Sequence, residues 1–167
     1  NVVGQTGTTL KLINEATLTG WIDPLDMQMG SSSIWMMTGD SVLASQTFLN
    51  NTAHVIFAGG DGVQTFSRLT IGDLEGTGGF YTMRTNIVGN GAGSIGDLLE
   101  VTGFSEGNHN LEVQNSGSTA VSGTETLTIV ETEDGSATFG LTHKVEVGGY
   151  LYDLRRTVAD DTNWELY

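Results

Sequence analysis

Residues 91–96, Gly91-Ala92-Gly93-Ser94-Ile95-Gly96, have the G-x-G-x-x-G spacing of a dinucleotide site. That chemistry needs a helix to start there, so that its first N–H groups can hold pyrophosphate. The residues that follow, Asp97-Leu98-Leu99-Glu100-Val101-Thr102-Gly103, read as a strand and leave no room for one. The glycines are therefore read as a turn. Ser94 lies in A-x-S-x-G, one residue short of a nucleophile elbow, and meets the same objection.

Other chemistry-bearing residues are equally isolated. His54, His109 and His143 lack metal-ligand spacing and there is no cysteine. His54 and His109 are expected in turns or beside strands. Gly59-Gly60-Asp61-Gly62 matches a single calcium-binding turn, whereas such sites stack several copies to complete an oxygen shell. Asn50-Asn51-Thr52 is a formal glycosylation triplet, with a turn or ladder role as the alternative. Trp21, Trp35 and Trp164 could form sugar platforms; strand positions favour packing for Trp35 and Trp164 and leave Trp21 open. No catalytic residue, metal or cofactor is expected, and the chain is read as not an enzyme.

Composition narrows the partners. The 167 residues are enough for one domain with a core. A net charge of −14, from 6 Lys plus Arg against 20 Asp plus Glu, disfavours nucleic acid and anionic membrane surfaces. The 24 glycines follow no three-residue period, which excludes collagen, and disulfide stapling is excluded because there is no cysteine. No run is long enough for a spanning helix. A first residue Asn1 with no apolar leader suggests a fragment or a processed chain.

The elements that must position these residues are short strands. Alternation marks residues 8–13, 33–37 (Ile34 and Met36 sharing a face), 54–58 (Val55, Phe57), 65–71 (Leu69, Ile71) and 80–88. It continues through 98–101, 110–115, 126–131, 137–141, 149–158 and 163–167. Gly59–Gly62, Gly89-Asn90-Gly91, Asp134-Gly135 and Gly148-Gly149 supply turns that need positive φ. Residues 21–30, which contain Pro24, read as an ordered loop. The strand–turn scheme repeats at roughly 20–25 residues, as solenoids do. Aliphatic inward positions with Thr, Asn and Ser beside the turns favour a parallel β-helix over a flat sandwich. The expected fold is all-β: a right-handed parallel β-helix closed by a C-terminal hairpin cap. An open end would expose strand edges. Tyr150, Tyr152, Leu154, Trp164 and Leu166, on two strands joined by residues 159–162, are placed to cover it.

Across residues 96–167 the sequence resembles the C-terminal end of pertactin-type autotransporter passengers. The resemblance begins with G-D-L-L-x-V at 96–101 and continues through His109, Leu111, Val113, Asn115 and Gly117. Leu127, Ile129, Val130, Thr132 and Gly135 follow, then Val145, Gly148, Tyr150, Tyr152, Leu154, Trp164 and Leu166. Gly149 beside Gly148 is the one departure. Residues 1–95 share only the general β-helix style. The resemblance divides the chain into passenger rungs, 1–95, and a continuous autochaperone-like segment with its cap, 96–167.

The resemblance implies a folding nucleus that emerges early from the outer-membrane barrel and templates the rest of a secreted virulence passenger. Leu98, Val101, Leu111, Val113, Tyr150, Tyr152, Leu154, Trp164 and Leu166 would carry folding and capping. Its partners would be its own passenger and barrel, at a bacterial cell surface from which part is released. The segment "SIWMMTGDSV" resembles the actin-recruiting members, which would add a host cytoskeletal regulator. The alternative is an adhesin-like module that contacts a host protein or self-associates through an apolar patch around Trp21 and Met27 to Met29. A polysaccharide-cleaving site ranks last, because no carboxylate pair is suitably placed.

Overall fold

The computed structural model describes residues 1–5, 7–59, 66–89, 93–117 and 120–167. Every regular element among them is a β-strand. In one sheet, Thr9–Leu12, Asp26–Met29, Ser41–Phe48, Arg68–Gly76, Leu98–Val101 and Leu127–Thr132 pair in parallel, each with the next. In the other, Thr17–Thr19, Ile34–Met37, His54–Phe57, Phe80–Asn86, Asn108–Asn115 and Thr138–Leu141 do the same. The chain crosses from sheet to sheet and returns once per rung, so alternate residues of both sheets fill a shared interior. This is a parallel β-helix, built because no rung can bury its apolar face alone.

The step between rungs changes along the coil. Thr9 pairs with Asp26 and Thr17 with Ile34, each 17 residues on. The turns that make this short step contain pairs of left-handed residues, Asn14-Glu15 and Ser31-Ser32, and the Glu15 N–H donates to the Ser31 carbonyl at 2.8 Å. Later rungs register 30 residues apart, as where the Gly79 N–H meets His109. The added residues lie mainly at one corner, between the end of Phe80–Asn86 or Asn108–Asn115 and the next strand of the first sheet. The expected period falls between these two steps.

At the C-terminal end the pattern turns antiparallel. Trp164–Leu166 pairs antiparallel with Leu127–Thr132, and Leu154–Arg156 pairs antiparallel with Trp164–Leu166. A separate hairpin, Val145–Val147 with Tyr150–Tyr152, turns through Gly148 and Gly149 at φ 58° and 89°. Both turn residues need the left-handed region that glycine enters without steric cost.

Several expectations are corrected. The expected loop over 21–30 contains strands Ile22–Asp23 and Asp26–Met29, and Met27 and Met29 are fully buried. Of the apolar patch expected there for partner binding, Met27 and Met29 are core and Trp21 is half-buried. In Ile34–Met37 the residues Ile34 and Met36 do share a face, but it is the outward one, and the inward residues are Trp35 and Met37. Trp35 is fixed inward by its indole N–H, which donates to the Gly20 carbonyl at 2.9 Å. The expected single strand over 149–158 is two, broken at Asp153, because its halves join different partners. The interior is not wholly aliphatic: Trp35, Phe48, Phe57, Tyr81, His109 and Phe139 also point in. Thr65, residues 60–62 of the glycine turn and residues 90–92, which begin the G-x-G-x-x-G match, lie outside the described residues.

Candidate functional site

Strand alternation and rung stacking bring aromatic rings from successive rungs into one internal column. Phe48 meets the Tyr81 ring edge-on at 5.7 Å. His109 lies 5.5 Å from Phe48 and 5.9 Å from Tyr81. Phe139, the direct strand partner of His109, stacks on it at 5.3 Å and 26°. Trp164 of the closing strand then meets Phe139 edge-on at 5.9 Å. The cap is thereby joined to the rungs by ring contacts, each worth about 0.5–1.5 kcal/mol beyond area burial.

Most polar groups in this column are satisfied; the exception among the described residues is Trp164 Nε1, which is buried without a hydrogen-bond partner. The Tyr81 hydroxyl donates to Gln46 Oε1 at 3.0 Å, and Gln46 Nε2 donates to Met29 Sδ at 3.4 Å. Burial holds the Tyr81 hydroxyl well above its usual range. His109 Nδ1 accepts from the Gly79 N–H at 3.2 Å, so Nε2 carries the proton and donates to the Glu106 carbonyl at 2.9 Å. Burial lowers the pKa of His109, and the backbone bond only partly offsets that. His109 is therefore a neutral core residue in a strand rather than beside one, and the i, i+2, i+4 pattern of His109, Leu111 and Val113 was the signal for it. His54 faces outward and stacks on Phe80 at 4.6 Å. The Asn50 side chain accepts from the Thr52 N–H and hydroxyl at 3.1 and 2.6 Å, a local turn.

Two buried carboxylates anchor the long-loop corner to the coil. Asp97 is 0% exposed and takes a two-pronged ion pair from Arg84, with Nε–Oδ2 at 2.9 Å and Nη2–Oδ1 at 2.8 Å. It also accepts the backbone N–H groups of Ser67 and Arg84, both at 2.7 Å. Glu125 is 3% exposed and accepts the Tyr152 hydroxyl at 2.6 Å. The N–H groups of Ser122, Gly123 and Thr124, at 2.8, 2.9 and 3.1 Å, and the Ser122 hydroxyl, at 2.8 Å, complete its shell. The Tyr152 hydroxyl is the largest cause of a carboxyl held well below its ordinary range. Burial, then the hydrogen bond to Glu125, pushes the Tyr152 pKa up to about 12. This carboxylate pins the loop before the last parallel strand to the cap hairpin.

The residues expected to fold and cap are distributed unevenly. Val101, Leu111, Val113, Tyr152 and Leu166 are buried, and Leu154 and Trp164 are half-buried against the core. Leu98 is half-buried and faces out, and Leu99 fills the interior beside Leu69 and Val130. Tyr150 is 46% exposed and lies over Gly123. Arg156 sits over the Trp164 ring at 4.7 Å, and Arg155 pairs with Glu165 at 2.8 Å. Among the described residues no group of His, Asp and Glu is arranged to hold a metal ion. Phe139, His109, Glu125 and Asp97 were absent from the expected site. Asp97 lies within the G-D-L-L-x-V stretch and Glu125 caps the adjacent residues 122–124, but the Arg84 and Tyr152 side chains that engage them lie 13 and 27 residues away.

A family model described as Pertactin matches residues 45–167. The probable autotransporter YcgV of Escherichia coli K12 is 44% identical over 146 residues, covering 86% of this chain and 15% of the relative. The autotransporter adhesin/invasin TibA of Escherichia coli O78:H11 is 35% identical over 181 residues, covering 99% of this chain and 17% of the relative. The chain thus spans less than a fifth of the length of these relatives. The crystal structure of the Haemophilus influenzae Hap adhesin aligns with a TM-score of 0.64 at 22% identity, covering 95% of this chain and 18% of that one, a likeness of fold. The narrower resemblance to actin-recruiting members is not supported by these matches. With its parallel coil, its antiparallel closure and these relatives, the chain belongs to the pertactin family and is a passenger-type domain of an autotransporter, exported through the outer membrane to the bacterial cell surface.

Proposed function

We propose that this segment is the folding nucleus, or autochaperone, of its passenger. The observation that carries the reading is the self-contained closure of the C-terminal end of the coil. This end is closed by antiparallel strands and tied inward by the Phe139–Trp164 contact. A coil closed at its C-terminal end can add rungs only in the other direction, each pairing in parallel with the one already formed. The closure is assembled within residues 127–167, so it needs no distant partner before it forms. Its partners in this role are the remainder of the passenger and the outer-membrane barrel, and the role involves no catalysis.

A host cytoskeletal partner gains nothing from residues 33–42, whose largest side chain, Trp35, is buried. Self-association is opposed by the net charge of −14. The test is Tyr152→Gly with Leu154→Gly in the full-length protein, followed by protease protection of the upstream passenger on intact cells. Loss of protected passenger is expected, with partial recovery when the intact segment is supplied separately. Normal display in a variant shown to have lost the C-terminal fold would refute the template role.

A further inference from the structure

One imidazole stands inside the aromatic column, and the folding role makes no use of its chemistry. His109 is 2% exposed and bridges two rungs at the short corner between the sheets. Its Nδ1 accepts from the Gly79 N–H at 3.2 Å, and its Nε2–H donates to the Glu106 carbonyl at 2.9 Å. Residues 76–79 turn this corner in one rung and residues 106–107 in the next. The two turns are in close contact. A β-carbon on Gly107 would fall 2.5 Å from the Gly76 carbonyl oxygen and 3.2 Å from His109 Nε2, and one on Gly79 would fall 2.2 Å from the Phe48 ring. The imidazole therefore has little room to turn away from Gly79.

A neutral imidazole has one acceptor and one donor, and here both are in use. A proton on Nδ1 turns the acceptor into a donor that faces the Gly79 N–H. That bond is lost, and a buried charge is left with an N–H that has no acceptor. The groups facing the ring offer little compensation. Tyr81, from Phe80–Asn86, lies 5.9 Å away with its hydroxyl given to Gln46. Phe48, from Ser41–Phe48, and Phe139, from Thr138–Leu141, carry no titratable group. The Glu106 carboxylate is exposed and accepts the Gly76 N–H at 3.0 Å. Glu75, from Arg68–Gly76, is exposed as well and accepts from the Thr47 hydroxyl at 3.4 Å. The surrounding rings attract a cation, but they cannot replace the bond lost at Gly79. Protons have a route: a depression of about 480 Å³ between Thr77, Asn108 and Thr138 includes His109 in its lining.

We propose that the short corner at His109 is an acid-operated joint: protonation of Nδ1 releases Gly79 and opens the contact between residues 76–79 and 106–109, while the antiparallel closure stays paired. The sign follows from burial, which holds the His109 pKa below its ordinary 6.5. The contribution of the neutral ring is present above about 6.5 and is lost as pH falls below it. The lowered carboxyls of the cap respond further down, below about 4.5, so the two acid responses are separable. Acid in the upper range loosens the coil at an inner rung and leaves its closed end intact. The joint stands apart from the folding role, since it needs only a folded coil.

The test uses the 167-residue chain with His54→Gln and His143→Gln, which leaves His109 as the sole imidazole. Hydrogen exchange, corrected for the intrinsic rate, reads the opening of the corner. The opening constant at Gly79 and across 106–111 should rise about thirtyfold between about pH 7.5 and 5.0, because the opened state binds one more proton. Protection across 127–132 and 164–166 should hold. The NMR titration of His109 should have its midpoint below about 6.5. His109→Gln keeps a donor and an acceptor that do not titrate, and His109→Phe keeps a ring. Both should lose the pH response over that range, even where His109→Phe is less stable throughout. A His109 midpoint at or above about 6.5 would overturn the proposal. So would an undiminished pH response in folded His109→Gln, or protection that fails first across 127–166.

Discussion

Truncating Phe139 to alanine tests whether the cap is energetically joined to the rungs. Phe139 is 6% exposed and lies between His109 at 5.3 Å and Trp164 at 5.9 Å. Removing a buried phenylalanine ring costs about 3–5 kcal/mol, including both ring contacts. The site lies one layer beneath the closing strands, where Trp164 can settle part of the way into the space. That places Phe139→Ala near the lower end, about 3 kcal/mol, or roughly 6–12 °C in melting temperature for a chain of this size. Urea unfolding with Trp164 as sole indole, in a Trp21→Phe, Trp35→Phe background, measures the loss. Hydrogen exchange locates it. Because rungs contact only their neighbours, protection should fall most in residues 127–167 and least in 9–37. A loss below about 1 kcal/mol, or protection failing first at 9–37, would refute the coupling.

Acid should loosen the cap hairpin. The folded pKa of Glu125 lies below its ordinary 4.5, so its contribution is present above that value and is lost as pH falls towards the folded pKa. Asp134, Asp153 and Asp160 are lowered as well, so Glu125→Gln should reduce the slope of stability against pH below about 4.5 without abolishing it, as read from urea midpoints. Asp97→Asn leaves Arg84 facing a neutral partner at a buried site and should destabilise by about 3–5 kcal/mol in the same assay. Gly78→Ala should cost at least about 2 kcal/mol, because φ is +119° and a β-carbon would fall 1.9 Å from the Asn108 carbonyl oxygen; a neutral midpoint would contradict the close stacking of those rungs. Chelator should leave the melting temperature unchanged, and a clear drop would reveal a structural ion.

The architecture was legible because the turns and alternation of a β-helix are local, and because the ordered motifs over 96–167 mark its last rungs. What escaped was the choice of face within continuous apolar runs. Ile34-Trp35-Met36-Met37 and Leu98-Leu99 offer an apolar residue at every position, so alternation gives no sign, and a shift of one residue reverses every side chain. The deciding facts are distant: the Gly20 carbonyl for Trp35, and Leu69 and Val130 for Leu99. Over 26–29 the pattern Asp-Met-Gln-Met does alternate, but it is only four residues long and follows Pro24, which favours a turn. Asp97 and Glu125 look like ordinary surface acids until the coil brings Arg84 and Tyr152 against them.

The unequal steps of the coil have a consequence for length. A folded rung advances the axis by about 4.8 Å whatever its residue count. The chain that it takes up is far longer: a 30-residue step consumes roughly 100 Å of extended chain, and a 17-residue step roughly 60 Å. Folding from the cap therefore winds in slack at about twenty to one over the last rungs and about twelve to one over the first. The corner loops set the gearing. A loop lengthened there delays the next rung until more chain has been paid out, while the pitch of the coil and the pairing of its strands stay the same.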